Sequence, residues 1–118
     1  MIDYNNFAQE WIAAWNAHDI EAVLSHYTDD FILSTPMAMK IVPESNGIVS
    51  GKAAVHSYWS QALKRIPDLH FRLIKVLTGI NGLVIYYTNT ATGKTSAEVL
   101  QLNQAGKVEK AFVFYENL

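Results

Sequence analysis

The stretches EWIAAWNAHD at residues 10–19 and YTDDF at residues 27–31 decide the fold of this chain. Phe7, Trp11 and Trp15 recur every four residues, which is the spacing of one face of an α-helix. The aspartate that closes the first stretch is a suitable N-cap for a second, shorter helix. We therefore expect an amphipathic helix, a turn, a short helix and then a strand that begins within the second stretch.

The rest of the chain predicts one helix and a run of strands. A strand over residues 31–35 ends at Pro36. Residues 36–51 hold two prolines and two glycines, which predicts a long loop. A third helix follows that loop, and Pro67 stops it. The pattern then alternates with period two in four segments, at residues 69–77, 83–91, 95–103 and 108–116. Three helices followed by a four-strand meander indicate an α+β fold, in a single domain over residues 1–118.

The composition narrows the class of protein. Half of the 118 residues are hydrophobic and 17% are charged, as in a folded domain with one core. The net charge is −2 and no basic cluster is present, so we expect no nucleic-acid partner. Absent cysteines exclude disulfides and thiolate chemistry. Neither a leader peptide nor an apolar stretch of about 18–20 residues is found, so we expect a cytoplasmic protein with no membrane partner.

The order and spacing of four motifs carry a family resemblance. They are the helix end at residues 10–19, the Asp29-Asp30-Phe31 segment, Gly51-Lys52-Ala53-Ala54, and Gly106-Lys107-Val108. In this arrangement the chain resembles the SnoaL-like and ketosteroid-isomerase-like members of the nuclear transport factor 2-like superfamily. The resemblance implies a cone-shaped half-barrel, a bent mixed sheet wrapped by three N-terminal helices. The mouth of such a cone takes small hydrophobic molecules.

The same resemblance bears on activity. In ketosteroid isomerases a tyrosine on the first helix and a late-strand carboxylic acid bind the enolate oxygen, and an aspartate before a proline carries the proton. Carried onto this sequence, these positions fall on Trp11, Glu98 and Thr35 respectively. Thr35 cannot act as a base near neutral pH. The chain is therefore not expected to be a true ketosteroid isomerase.

Glu98 is the candidate catalytic residue. It shares one strand face with Leu100 by alternation, and an apolar cone would raise its pKa by desolvation. The simpler interpretation is a glutamate at the edge of a pocket, in contact with water or a lysine. Aromatic and neighbouring side chains would form the wall. The predicted ligand-binding residues are Trp11, Tyr27, Thr35, Trp59, Leu100, Val113 and Tyr115. Met37 and Met39 suit a lid, or they plug the core.

The histidines and the adjacent aspartates give weaker indications of a functional site. The four histidines, His18, His26, His56 and His70, lack metal-ligand spacing, so no metal site is expected. Among them His26 and His70 are the candidates for catalysis. The pair Asp29-Asp30 is interpreted as backbone capping.

The sequence pattern of the last strand predicts that the protein forms an oligomer. It is apolar on both faces, with aromatic residues at Phe112 and Phe114 on one of them. We therefore expect a homodimer through the sheet, as is common in the resembled superfamily.

Two functions remain open at this stage. One is a small-molecule-binding protein with a hydrophobic pocket, acting without a cofactor as an isomerase, cyclase or hydrolase by acid/base chemistry at Glu98. The other is a non-catalytic module that sequesters a ligand or binds a protein. A second ionisable or polar group within reach of Glu98 would favour the enzyme.

Overall fold

The computed structural model describes residues 2–117, which form four α-helices, one 3₁₀ turn and six strands. The helices are α1 (Tyr4–Asn16), α2 (Ile20–Leu24), α3 (Pro36–Ile41) and α4 (Lys52–Arg65), with the 3₁₀ turn at Pro43–Ser45. The strands are β1 (Tyr27–Ser34), β2 (Ile48–Ser50), β3 (Phe71–Thr78), β4 (Gly82–Asn89), β5 (Lys94–Leu102) and β6 (Val108–Tyr115). No helix among these residues is both long and apolar enough to cross a membrane.

The N-terminal helix pair forms as the capping residues predict. The Asp3 carboxylate accepts the Asn6 N–H at the start of α1, and Asp19 does the same for Ala22 at the start of α2. Between the helices His18 adopts a left-handed conformation with φ 57°, which reverses the chain. The second helix has only five residues, and Tyr27 already belongs to β1.

All six strands form one bent, unclosed sheet in the order β2-β1-β6-β5-β4-β3. Strands β1 and β6 pair in parallel and the other neighbours are antiparallel, so the sheet is mixed. The register shifts in three of the pairs, β1–β6, β3–β4 and β5–β6. Such irregularities bend strands and increase twist. The expected α+β class with a bent mixed sheet is confirmed.

The expectation of a long loop at 36–51 was wrong. The segment contains α3, the 3₁₀ turn and β2, which pairs with β1. Thr35 caps α3 by accepting the Met37 N–H at 3.4 Å, and Pro36 occupies the first turn, where its missing N–H costs nothing. Counting α3, the structure has one helix more than the three expected from sequence.

The core lies between the helices and the concave face of the sheet. Alternation along β5 and β6 buries one set of side chains, including Leu100, Ala111 and Val113, and leaves the other outside. On the outer face Phe114 is 61% exposed and Tyr86 is 40% exposed. The sheet is therefore apolar on both sides, but the helices cover only the concave one.

Candidate functional site

A cavity of about 120 Å³ lies on the concave side of the sheet, beneath α1 and α4. Helix α1 contributes Trp15 to its wall, and α4 contributes Tyr58, Trp59 and Ala62, followed by Ile66 just after the helix end. Among residues 2–117, the only charged side chains in the wall are Glu98 and Lys94, both from β5. The cavity is therefore a largely apolar chamber with a few placed polar groups, which is the usual composition of a small-molecule site.

Strand β5 supplies a row of polar side chains to the chamber. Lys94, Ser96 and Glu98 alternate along the strand and all line the cavity. Ser96 is paired in register with Tyr87 on one side and Tyr115 on the other. Since alternate residues of a strand face the same way, one strand presents an ammonium, a hydroxyl and a carboxyl group to the same space.

Glu98 is the buried acid of the cavity, with 8% of its surface exposed. Desolvation raises its pKa to about 7, and the Tyr87 hydroxyl acts in the opposite direction by donating to Oε1 at 3.1 Å. The carboxyl group therefore changes its protonation state near neutral pH. A side chain with such a pKa can both release and accept a proton under ordinary conditions.

Phenol groups surround this carboxyl group. Tyr58 and Tyr115 line the same cavity as Tyr87, and burial raises the pKa of all three. The pKa of Tyr115 reaches about 12, with the Thr35 hydroxyl opposing the shift. These phenols therefore stay protonated near neutral pH and remain hydrogen-bond donors.

The opposite wall is aromatic. The rings of Trp15 and Trp59 meet edge to face at 4.9 Å, and Trp15 also contacts Phe71 at 5.5 Å. Trp15 is 5% exposed, and its indole N–H has no acceptor among the described residues. A buried donor without a partner is costly, and this one belongs to a side chain of the cavity wall.

Eight site residues were predicted from the sequence, and five of them line this cavity. They are Thr35, Trp59, Glu98, Val113 and Tyr115. The other three, Trp11, Tyr27 and Leu100, lie in the core outside the cavity wall, each no more than 2% exposed. Met37 lines the cavity, whereas Met39 is 56% exposed and does not.

Trp11 and Tyr27 are hydrogen-bonded to each other. The Trp11 indole donates its N–H to the Tyr27 hydroxyl at 3.0 Å. Trp11 also stacks on Phe71 at 5.8 Å, so it belongs to the packing behind the chamber. The resemblance places Trp11 where ketosteroid isomerases bind the enolate oxygen, and in this structure its indole N–H donates to Tyr27. Trp15, one helical turn later, has an indole N–H without an acceptor in residues 2–117.

Sequence reasoning missed six polar residues of the cavity, which are Tyr58, Tyr87, Asn89, Thr92, Lys94 and Ser96. A signal for two of them was present. The alternation that placed Glu98 and Leu100 on one face also places Lys94 and Ser96 there. The Tyr87–Glu98 hydrogen bond joins two strands, and no pattern within either strand encodes it.

The histidines lie elsewhere. His26 packs on Phe7, and neither it nor His70 lines the cavity. His56 contacts Glu21 at 2.6 Å and Ser60 at 3.4 Å, but Glu21 is largely exposed and the contact to Ser60 is long. The sequence-based candidates His26 and His70 are therefore outside the cavity. Within residues 2–117 no three histidine or acidic side chains cluster as metal ligands.

Solved structures share this fold. A SnoaL-like protein of unknown function from Burkholderia thailandensis E264 is 43% identical over 97% of this chain and 94% of its own, with a TM-score of 0.91. A protein from Agrobacterium tumefaciens str. C58, named provisionally as an isomerase of the SnoaL-like family, is 16% identical over 97% of both chains, with a TM-score of 0.75. TerC, co-crystallised with polyporic acid, is 16% identical over 97% of this chain and 92% of its own, with a TM-score of 0.77.

The family profile gives the same result from sequence. No curated protein matches the chain. The profile of the SnoaL-like domain, however, matches residues 8–110, a range that contains most of α1, all of α4 and Glu98. Because the match spans most of the chain and a 43% identical relative has the same fold, this chain belongs to the SnoaL-like domain family.

Proposed function

We propose that this protein binds a small cyclic molecule in the cavity and catalyses a proton transfer on it without a cofactor. The observation that carries the proposal is Glu98, a buried carboxyl group with a pKa of about 7 in the wall of a largely apolar chamber. An isomerisation, a cyclisation or a hydrolysis is each within reach of one such acid/base group.

The step we infer begins with the ionised form of Glu98. Its carboxylate removes a proton from a carbon atom next to the ligand carbonyl, and the carbonyl oxygen gains negative charge. Return of the proton from Glu98 to a different carbon completes an isomerisation. The Tyr87 hydroxyl, which donates to Oε1, would hold the carboxyl group in place throughout.

The developing oxyanion needs hydrogen-bond donors. The hydroxyls of Tyr58 and Tyr115 remain protonated because burial raises their pKa, and the Trp15 N–H has no acceptor in the described part of the chain. Donors that are already in position need not reorganise when negative charge develops on the ligand oxygen. These groups are the polar partners that the enzyme interpretation needs beside Glu98.

The size of the chamber limits the ligand. A volume of about 120 Å³ is below the range of about 300–1,000 Å³ typical for drug-sized ligands. It is close to an engineered apolar cavity of about 150 Å³ that accepts benzene. We therefore infer a ligand with a single six-membered ring. This agrees with the expectation that the protein is no ketosteroid isomerase, since a steroid has four fused rings.

We also propose a homodimer through the outer face of the sheet. Phe114 and Tyr86 both pair with Ala97 in register, from β6 and β4, and Leu77 on β3 is 53% exposed. A contiguous apolar surface of this kind is unfavourable in water unless a partner covers it. A second copy of the chain would place the same surface against itself.

A thermal-shift screen with one-ring compounds tests ligand binding. Cyclohex-2-enone, phenol and benzoate are suitable probes, because a ligand that binds only the folded protein raises Tm. The matched control is Ala62→Trp, which adds a bulky ring at the wall. We expect shifts in wild type that this variant lacks. Equal shifts in both proteins, or none in either, would contradict the proposal of a ligand cavity.

Deuterium uptake from D₂O tests the chemistry. NMR follows exchange of the hydrogens next to the carbonyl of cyclohex-2-enone, with wild type and with Glu98→Gln. We expect exchange above the buffer rate only with wild type, since the amide cannot accept the proton. Binding without exchange in both proteins would support the non-catalytic, ligand-sequestering alternative.

A further inference from the structure

Lys94 is a cation of the cavity wall that the proposed proton transfer does not use. It begins β5, and no carboxylate among residues 2–117 lies within ion-pair distance of it. It is only partly buried, and exposed Thr92 lines the cavity beside it, so this hairpin end is where the chamber meets solvent. A cation at the mouth of an apolar chamber favours an anion there.

A second donor lies opposite Lys94. Asn89 is its register partner across the hairpin and also lines the cavity. The Oδ1 atom of Asn89 already accepts the Ala91 N–H at 3.0 Å, which leaves Nδ2 to donate. An ammonium group and an amide N–H from the two sides of one hairpin form a suitable cradle for carboxylate oxygens.

The spacing along β5 fixes the shape of a matching ligand. Glu98 lies four positions after Lys94 on the strand, so their Cα atoms lie about 13 Å apart at about 3.3 Å per residue. The flexible lysine side chain covers part of that distance. A ring between the aromatic wall and Ser96, with a carboxylate on a short arm, would reach both ends.

We propose that Lys94 and Asn89 bind the carboxylate of the ligand, so that the site selects small cyclic carboxylic acids over their neutral analogues. This inference rests on the proposed function, because it assigns the substrate class of the same cavity. In this arrangement the ring occupies the aromatic chamber and the carboxylate stays at the mouth. The distal end of the ring then faces Glu98.

The rest of the wall supports this assignment. Glu98 is the only other charged group that the described residues place in the cavity wall, and burial keeps it largely neutral below pH 7. An anionic ligand therefore meets little repulsion from the chamber under those conditions. Because Lys94 is partly exposed, its attraction for the ligand will weaken as ionic strength rises.

Matched acid and amide pairs test the proposal. The probes are benzoate, phenylacetate and 3-phenylpropionate, each compared with its primary amide by NMR titration at pH 6.5 in low salt. We expect at least one acid to bind wild type about three- to tenfold more tightly than its amide, as for a partly exposed ion pair. We expect Lys94→Gln to remove that preference and Lys94→Glu to reverse it.

The control is Lys110→Gln, which makes the same charge change at an exposed residue outside the cavity. It should keep the preference for acids. Equal binding of acid and amide to wild type, or a preference that survives Lys94→Gln, would overturn the assignment of Lys94 and leave the cavity proposal intact. A protein that bound none of the six probes would overturn both.

Discussion

Replacing Glu98 with glutamine should change how the stability of the protein depends on pH. Glutamine keeps the shape of the side chain and removes its charge. The pKa of the Glu98 carboxyl group is about 7 in the folded protein, against an ordinary value of 4.5. At about 1.4 kcal/mol per pH unit, this difference corresponds to about 3 kcal/mol.

The sign follows from proton binding. Between pH 4.5 and 7 the folded state holds the Glu98 proton more tightly than the unfolded state, so the free energy of unfolding falls as pH rises. Above pH 7 the cost of the buried charge is fully present. Below pH 4.5 both states are protonated and the cost disappears. Glu98→Gln lacks this cost at every pH.

Urea unfolding at pH 4.5, 6, 7 and 8 measures the effect, at fixed protein concentration because a dimer would make stability concentration-dependent. The stability of Glu98→Gln relative to wild type should rise by about 3 kcal/mol from pH 4.5 to pH 8. Glu44→Gln, which removes an exposed carboxyl group outside the cavity, is the control. If the relative stability of Glu98→Gln stayed constant within about 0.5 kcal/mol, the burial argument would be wrong.

Three further predictions follow from the same contacts. Tyr87→Phe removes the hydroxyl that opposes the shift at Glu98, so an NMR titration of the Glu98 carboxyl carbon should give a higher pKa than in wild type; an unchanged or lower pKa would contradict this. Phe114→Lys places a charge in the exposed apolar sheet face and should give a monomer by light scattering where wild type gives a dimer; a monomeric wild type would refute the assembly. Trp11→Phe should lower the free energy of unfolding by about 1–3 kcal/mol, because it removes the donor to Tyr27. The same substitution should cost less in a protein that already carries Tyr27→Phe. Urea unfolding of the two single variants and the double variant measures this coupling, and strictly additive losses would contradict it.

Local signals in the sequence were sufficient for most of the fold. Asp19 predicts the second helix because its carboxylate caps backbone N–H groups, a contact that depends on neighbours only three residues away. Period-two alternation predicts the strands of the meander because it, too, is a pattern among residues that are close in sequence. Helix α3 was missed because its six residues are too few to show a helical period, and the prolines and glycines around it are typical of a loop.

The candidate site was only partly predictable. Glu98 stands out because a charged residue is unusual on an apolar strand face. The sequence could not show which of Trp11 and Trp15 lines the cavity. Both belong to the buried face of α1, and they differ only in the residues that they contact across the core. Lys94 and Tyr87 acquire their roles through the register of β4 and β5, which depends on pairing between strands.

The most direct test of the central claim is a ¹³C NMR titration of the Glu98 carboxyl carbon, assigned with Glu98→Gln, without a probe and with the tightest-binding one-ring compound. If Glu98 is the acid/base group of a ligand cavity, its midpoint lies near pH 7 and moves when the ring binds beside it. A midpoint near 4.5, or one that a bound probe leaves unchanged, would contradict the account.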